Sequence, residues 1–234
     1  MGYGPYRPSG RRTYDGAVDA IRTVWDDLDP GSVPRFEILS GGTGAIVVLL
    51  GAFDPPTHAH LEIARASSRA VGRPTVFCLT KVLLDRPPDA LLRPMDRLGL
   101  LEALGAQHGI GLAVCNRGTY LEVHEAALAA GCDPVFVIGS DKLAQLADPS
   151  FYADGDAGVA RTLDEVGFLV IERGGVAVPE RYARLSDVFE VGDHAQISAS
   201  DVRRRVLEGE PVDDLVPPVV ARALRGYTEP TERG

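Results

Sequence analysis

Leu50-Gly51-Ala52-Phe53-Asp54-Pro55-Pro56-Thr57-His58-Ala59-His60-Leu61-Glu62-Ile63 is the stretch whose reading decides the fold. Ala45 to Leu50 run ahead of it without a polar residue, as one fully buried strand would. Leu61, Ile63, Ala64 and Ala66 follow it at helical spacing. Strand, tight loop and helix in that order make half of a βαβ unit, and the loop lies at the edge where open α/β sheets bind ligands. Gly51 and Ala52 let the backbone come close to a ligand and aim N–H groups at an anion. Asp54-Pro55-Pro56 makes a rigid turn. Thr57 and His60 are three apart and share a face of the first helical turn, whose positive amino end attracts phosphate; His58 points elsewhere.

Outward from this loop the chain alternates. Thr75–Thr80 is a second strand ending at Lys81, Ile110–Cys115 a third, Pro134–Ile138 a fourth ending at Gly139-Ser140-Asp141, and Phe168–Ile171 a fifth. Between and after them lie helical patterns over His58–Ala70, Met95–Ala106, Thr119–Ala130 with Thr119 as N-cap, Ser198–Leu207 and Leu215–Leu224. This predicts an α/β fold, a doubly wound, mostly parallel five-stranded sheet covered on both faces. Phe36, Ile38 and Leu39 could add a short edge strand, and Val188–Val191 a weaker one. Upstream, Tyr14–Leu28 reads as an amphipathic helix with Trp25 on its apolar face, preceded by a disordered arm. The expected division is an amino-terminal helical extension over 1–44, a nucleotide-binding domain over 45–228 and a tail over 229–234. The cluster Ser40-Gly41-Gly42-Thr43-Gly44 is not a phosphate loop: it precedes its strand and lacks a following Gly-Lys-Ser/Thr. The proline-rich segment Leu83 to Pro94 is a loop on the ligand edge, hence a candidate lid.

Composition limits the function classes. A net charge of −9 argues against a broad nucleic-acid or anionic-membrane surface. No apolar run approaches a membrane span, and Met1-Gly2-Tyr3-Gly4-Pro5 does not open a signal peptide. Cys78, Cys115 and Cys132 are widely spaced and read as small core hydrophobes of a reduced, cytoplasmic protein. Lys81 and Lys142 are the only lysines in an arginine background, which draws attention to Lys81 as a compact point charge at a strand end.

Ile197-Ser198-Ala199-Ser200-Asp201-Val202-Arg203 repeats the construction of the first loop: hydroxyls at a helix start, with an arginine in the first turn. Two anion-binding helix starts without an obvious nucleophile predict transfer chemistry run by positioning and charge stabilisation. The rival reading takes His58-x-His60 as a metal pair of a hydrolase barrel. That site needs further ligands at later strand ends, and His108, His124 and His194 do not fall there.

Gly51-Ala52-Phe53-Asp54-Pro55-x-Thr57-x-Ala59-His60 resembles the Gly-x-Phe-Asp-Pro-x-His/Thr-x-Gly-His signature of the nucleotidyltransferase superfamily. Ile197 to Arg203 resembles its late Ile-Ser-Ser-Thr-x-x-Arg signature, and Gly139-Ser140-Asp141 its Gly-x-Asp. Leu215-Val216-Pro217-Pro218-Val219-Val220 is similar to the closing segment of the nicotinate/nicotinamide mononucleotide adenylyltransferases. The resemblance implies an enzyme that moves AMP from ATP to a phosphomonoester with Mg²⁺ and releases pyrophosphate. It implies that Thr57 and His60 meet the ATP phosphates, that Gly51, Ala52, Phe53 and Gly139 line the nucleotide pocket, and that Asp141 lies near the nucleoside. Ile197, Ser198, Ser200 and Arg203 would hold the outer phosphates. Lys81 is our own assignment for the acceptor's phosphate, with Thr119 and Tyr120 lining the acceptor pocket.

Ala59 stands where the family has glycine, Ala199 where it has serine, and Arg86-Pro87-Pro88-Asp89-Ala90 departs from the Pro-Pro-His-Lys run of the mononucleotide enzymes. The acceptor is expected to be a pyridine mononucleotide; the alternatives are phosphopantetheine, cytidylyl transfer, or a nucleotide-binding regulatory module without turnover. No nucleic-acid or membrane partner is expected, and a homo-oligomer is open.

Overall fold

β2 (Gly44–Leu50) is the strand around which the sheet is built. In the computed structural model, which describes residues 15–82, 90–172, 177, 182, 186–188 and 191–228, Ile46, Val47 and Val48 of that strand are fully buried. Strands buried on both faces read as unbroken apolar runs, which is why Ala45 to Leu50 shows no alternation. β2 pairs in parallel with β3 (Thr75–Thr80) on one side and β5 (Cys132–Gly139) on the other. β4 (Gly111–Cys115) extends the β3 side and β6 (Gly167–Ile171) the β5 side, both in parallel.

The doubly wound parallel sheet is therefore present, with seven strands among the described residues rather than five: the order is β1-β4-β3-β2-β5-β6-β7. The additions are the two weak runs. β1 (Phe36–Ser40) pairs antiparallel with β4, and β7 (Ser186–Val188) pairs in parallel with β6. Neither carries a long apolar run, because each sits at an edge and is supported by one neighbour. The rest of the expected weak strand, at 189–190, and the lid candidate at 83–89 lie outside the described residues, as do the first fourteen residues and the tail at 229–234.

Two apolar layers flank the sheet. One gathers Val47, Leu49, Phe77, Leu79, Leu112 and Val114 with α1 (Asp15–Asp27), α2 (His58–Val71), α3 (Pro94–His108), α7 (Ala199–Glu208) and α8 (Pro218–Thr228). The other sets Ile46, Val48, Val76, Cys78, Phe136 and Phe168 against α4 (Tyr120–Ala129), α5 (Leu143–Leu146) and α6 (Asp156–Glu165). Ile21, Trp25 and Leu28 belong to the first layer, so the amino-terminal segment contributes to the same core as the strands. Asn116, fully buried at the end of β4, fixes its turn. Its amide donates to the carbonyls of Asp29 (2.7 Å) and Val33 (2.9 Å), and its Oδ1 accepts from the Arg35 N–H (2.7 Å).

One helix start differs from expectation. α8 begins at Pro218, not Leu215. Proline suits the first helical turn and disfavours helical backbone in the residue before it, which keeps Leu215 and Val216 out of the helix. The Leu215 carbonyl is instead spent on the His58 N–H, 3.0 Å away, where it satisfies an orphan donor of α2. The glycine cluster before β2 lies at the amino end of that strand, away from the ligand edge. There Gly41 adopts φ +96° and a Cβ on it would come within 2.8 Å of the Gly111 Cα.

Candidate active site

The connections run from β2 outward to β3 and β4 in one direction, and to β5 and β6 in the other. The order reverses between β2 and β5, and the crevice beyond their carboxyl ends is where such sheets bind nucleotides. Gly51-Ala52-Phe53 leaves β2 at that point, and Gly139-Ser140-Asp141 leaves β5 beside it through a short 3-10 turn, Ser140–Lys142. Asp141 is exposed there, and Ser140 is buried.

Thr57 is the N-cap of α2 and is fully buried. Its backbone N–H donates to His60 Nδ1 at 2.9 Å, and its Oγ1 lies 2.9 Å from the same nitrogen. A ring nitrogen that accepts from a backbone N–H carries no proton, so this bond assigns the proton of a neutral ring to Nε2. His60 is thereby fixed as a donor through Nε2, on a half-buried ring tilted against that of Phe53, with centroids 5.0 Å apart. His58 turns away: its ring lies 5.5 Å from that of His194. The two histidines of the loop are split, and among the described residues no group of three or more His, Cys, Asp and Glu is placed to hold a metal ion.

Phe53 has a left-handed backbone (φ +49°) with its ring 1% exposed. For a bulky residue that conformation costs on the order of 1–3 kcal/mol and persists only where neighbours over-determine it. Its ring lies over Gly51, where a Cβ would come within 3.2 Å of Cζ, and edge-on to Phe77 at 5.4 Å. A methyl at 51 would therefore require the Phe53 ring to give by a few tenths of an ångström.

The start of α7 meets the start of α2. Ser198 caps α7, its Oγ accepting from the Ser200 N–H at 3.2 Å. Arg203 donates Nη2 to Ser200 Oγ at 2.9 Å and Nη1 to the Asp54 carbonyl at 2.7 Å, and its buried Nε has no acceptor among the described residues. A guanidinium from α7 therefore reaches across 149 residues of chain onto the β2–α2 loop. Ile197, just ahead of the cap, packs against the core.

Ala59 is 1% exposed and part of the core, so the methyl that replaces the family's glycine is turned inward. Lys81 stands at the end of β3 with Nζ 5.3 Å from the centre of the Trp25 ring, a cation–π distance. Thr119 caps α4 in a reciprocal box with Glu122, its hydroxyl donating to Glu122 Oε2 at 2.9 Å. Tyr120 sets its ring edge-on to Phe136 (5.5 Å) and Phe168 (5.4 Å), and burial pushes its phenol well above the ordinary range.

Two residues escaped the sequence reading. Asp54, read as part of a rigid turn and of the family signature but given no role, is 1% exposed, and Arg97 of α3 is 4% exposed. Arg97 Nη2 lies 3.4 Å from Asp54 Oδ2. A signal existed: Arg97 occupies the apolar stripe it shares with Leu101 and Leu104, at spacings where a solvated charge does not belong.

Residues 48–205 match the model of the cytidylyltransferase-like family. The chain belongs to that family, whose members are nucleotidyltransferases. No curated protein matches it. Solved structures share the fold. Plasmodium falciparum nicotinic acid mononucleotide adenylyltransferase complexed with APC aligns with a TM-score of 0.57 at 17% identity, over 79% of this chain and 96% of that one. The same enzyme complexed with NaAD aligns with a TM-score of 0.55 at the same identity and coverage. At that identity the likeness is one of fold. No helix among the described residues is long and apolar enough to cross a membrane.

Proposed function

We propose that this nucleotidyltransferase moves AMP from ATP to a phosphomonoester, with nicotinate or nicotinamide mononucleotide as acceptor and pyrophosphate as product. The observation that carries the reading is the meeting of two helix starts at one crevice, joined by the Arg203 hydrogen bond to the Asp54 carbonyl. An ATP triphosphate laid across them would find His60 Nε2 at the α-phosphate. The start of α7, with Ser198, Ser200 and Arg203, would hold the β- and γ-phosphates. The backbone of Gly51, Ala52 and Phe53 would line the inner wall, although the Gly51 N–H, expected from the sequence to face an anion, is donated to the Cys78 carbonyl at 3.3 Å; Gly139 would form the floor and Asp141 the nucleoside side.

In this mechanism an oxygen of the acceptor phosphate attacks the α-phosphorus in line. The bond to the bridging oxygen breaks, and pyrophosphate leaves with the electron pair. No enzyme atom joins the phosphorus, so catalysis consists of positioning and of neutralising the charge that gathers on the α-phosphate. His60 supplies a hydrogen bond there without giving up its proton. Mg²⁺ enters as the counter-ion of ATP, hence as part of the substrate. Lys81, held against Trp25, is the cation assigned to the acceptor's phosphate; Thr119, whose hydroxyl is donated to Glu122, and Tyr120 would wall the acceptor pocket.

The test is a pyrophosphate-release screen of ATP and CTP against nicotinate mononucleotide, nicotinamide mononucleotide, phosphopantetheine and glycerol 3-phosphate. Turnover is expected with ATP and a pyridine mononucleotide. In His60→Ala, kcat should fall by roughly 10²–10³, the loss that accompanies removal of one transition-state donor, with a smaller change in KM for ATP. Turnover with CTP, or with another acceptor alone, would reassign the substrate. Silence with every pair would leave a nucleotide-binding module, and an unchanged His60→Ala would refute the mechanism.

A further inference from the structure

The carbonyls on either side of Phe53 are each held by a different arginine. Arg97 Nη1 donates to the Ala52 carbonyl at 3.2 Å and Arg203 Nη1 to the Asp54 carbonyl at 2.7 Å. Arg97 also donates Nε to the Leu92 carbonyl at 2.8 Å. The Asp54 carboxylate accepts from the N–H groups of Leu91 (2.9 Å) and Leu92 (2.7 Å). One buried carboxylate and one buried guanidinium thus tie two backbone segments together. The first carries the nucleotide loop, and the second runs into α3 on the β3 side of the crevice, where Lys81 sits.

We propose that Asp54 and Arg97 are a positioning pair for adenylyl transfer, fixing the nucleotide loop against the acceptor side of the crevice. This rests on the function proposed above. An ion pair whose side chains are both buried is a poor means of stability alone, since apolar residues of similar volume would pack without the desolvation cost. What apolar residues cannot do is hold four backbone groups in register by directional bonds. A carboxylate that accepts from adjacent N–H groups and a planar fork that donates to two carbonyls do that. The nucleotide loop includes a strained residue, so its position depends on such restraint from outside.

Arg97→Lys keeps the charge but replaces the planar fork by a point. Its kcat for pyrophosphate release should fall on the order of 100-fold, as a misplacement of about 1 Å between reactants would cause. The KM for ATP should stay within about threefold, because the loss is one of alignment rather than binding. In parallel, amide exchange at Leu91 and Leu92 is followed with and without a non-hydrolysable ATP analogue. Nucleotide should slow it in the wild type and leave it unchanged in Arg97→Lys. A folded Arg97→Lys with wild-type kcat, or with a loss confined to KM or Tm, would overturn the proposal. If that variant does not fold, Asp54→Asn combined with Arg97→Gln, which removes both charges together, is judged by the same criteria. If the wild type turns over no acceptor at all, the function proposed above fails, and the exchange readout alone decides the pair: no nucleotide-dependent protection in the wild type overturns it.

Discussion

The two histidines of the β2–α2 loop are neighbours in sequence with opposite environments. His60 accepts from a backbone N–H and is held to one tautomer. His58 is half-buried, and its pKa lies below the ordinary 6.5, first through burial and then through the charge of His194. The Val216 carbonyl and Asp214 oppose that shift, and Glu62 faces His194 with Oε2 3.3 Å from Nδ1. The sign follows from linkage. As pH falls through 6.5 the unfolded chain takes up a proton at this site that the folded chain refuses. Stability is therefore whole above that pH and declines as pH drops through it toward the lower folded value. His58→Gln should remove this part, giving a flatter dependence of Tm on pH between about 7.5 and 5 than the wild type shows. Parallel curves would show that His58 is not the group responsible.

At the scale of elements, the site is built from starts: the starts of α2 and α7 and the turn after β5. The two helix starts are each prepared by their own cap, Thr57 with His60 and Ser198 with Ser200. The loop that feeds α2 has little tolerance. Gly51→Ala would place a methyl 3.2 Å from the Phe53 ring, which is buried and on a left-handed backbone, so the ring can retreat only if the loop moves. We expect a loss of about 1 kcal/mol in stability, an overpacking cost, measured by urea denaturation. We also expect kcat/KM for ATP to fall about tenfold, since the N–H groups of Ala52 and Phe53 move with the ring. Unchanged kinetics would mean that these N–H groups do not contact ATP. The start of α8 shows how a helix boundary can be set from outside: Pro217-Pro218 excludes Leu215 from the helix, and α2 then uses the carbonyl so released.

At the scale of the molecule, the amino-terminal helix shares the core of the sheet. Trp25 is 9% exposed and lies under the Lys81 ammonium, and Asn116 fixes the turn that follows. Trp25→Ala should cost about 3–5 kcal/mol, the range for emptying an aromatic site in a core, and should be read from the shift in denaturation midpoint. Because it also removes the face on which Lys81 rests, KM for the acceptor should rise more than KM for ATP. Equal effects on both would separate Lys81 from acceptor binding.

By itself the sequence determined the α/β class, the five interior strands, and the two helix starts that carry Thr57, His60, Ser198, Ser200 and Arg203. Those features are local. Apolar runs, helical periods and caps are written within a few residues of where they act, because buried strands and helix ends place their demands on adjacent positions. Only the tertiary structure decided that the two starts face one crevice, that His58 and His60 part company, and that Asp54 and Arg97 form a pair. These depend on contacts between residues far apart in the chain. A lone buried arginine or a single aspartate in a turn looks the same in sequence whether its partner is present or not. The edge strands β1 and β7 belong with them, since a strand with one neighbour is defined by that neighbour more than by its own residues.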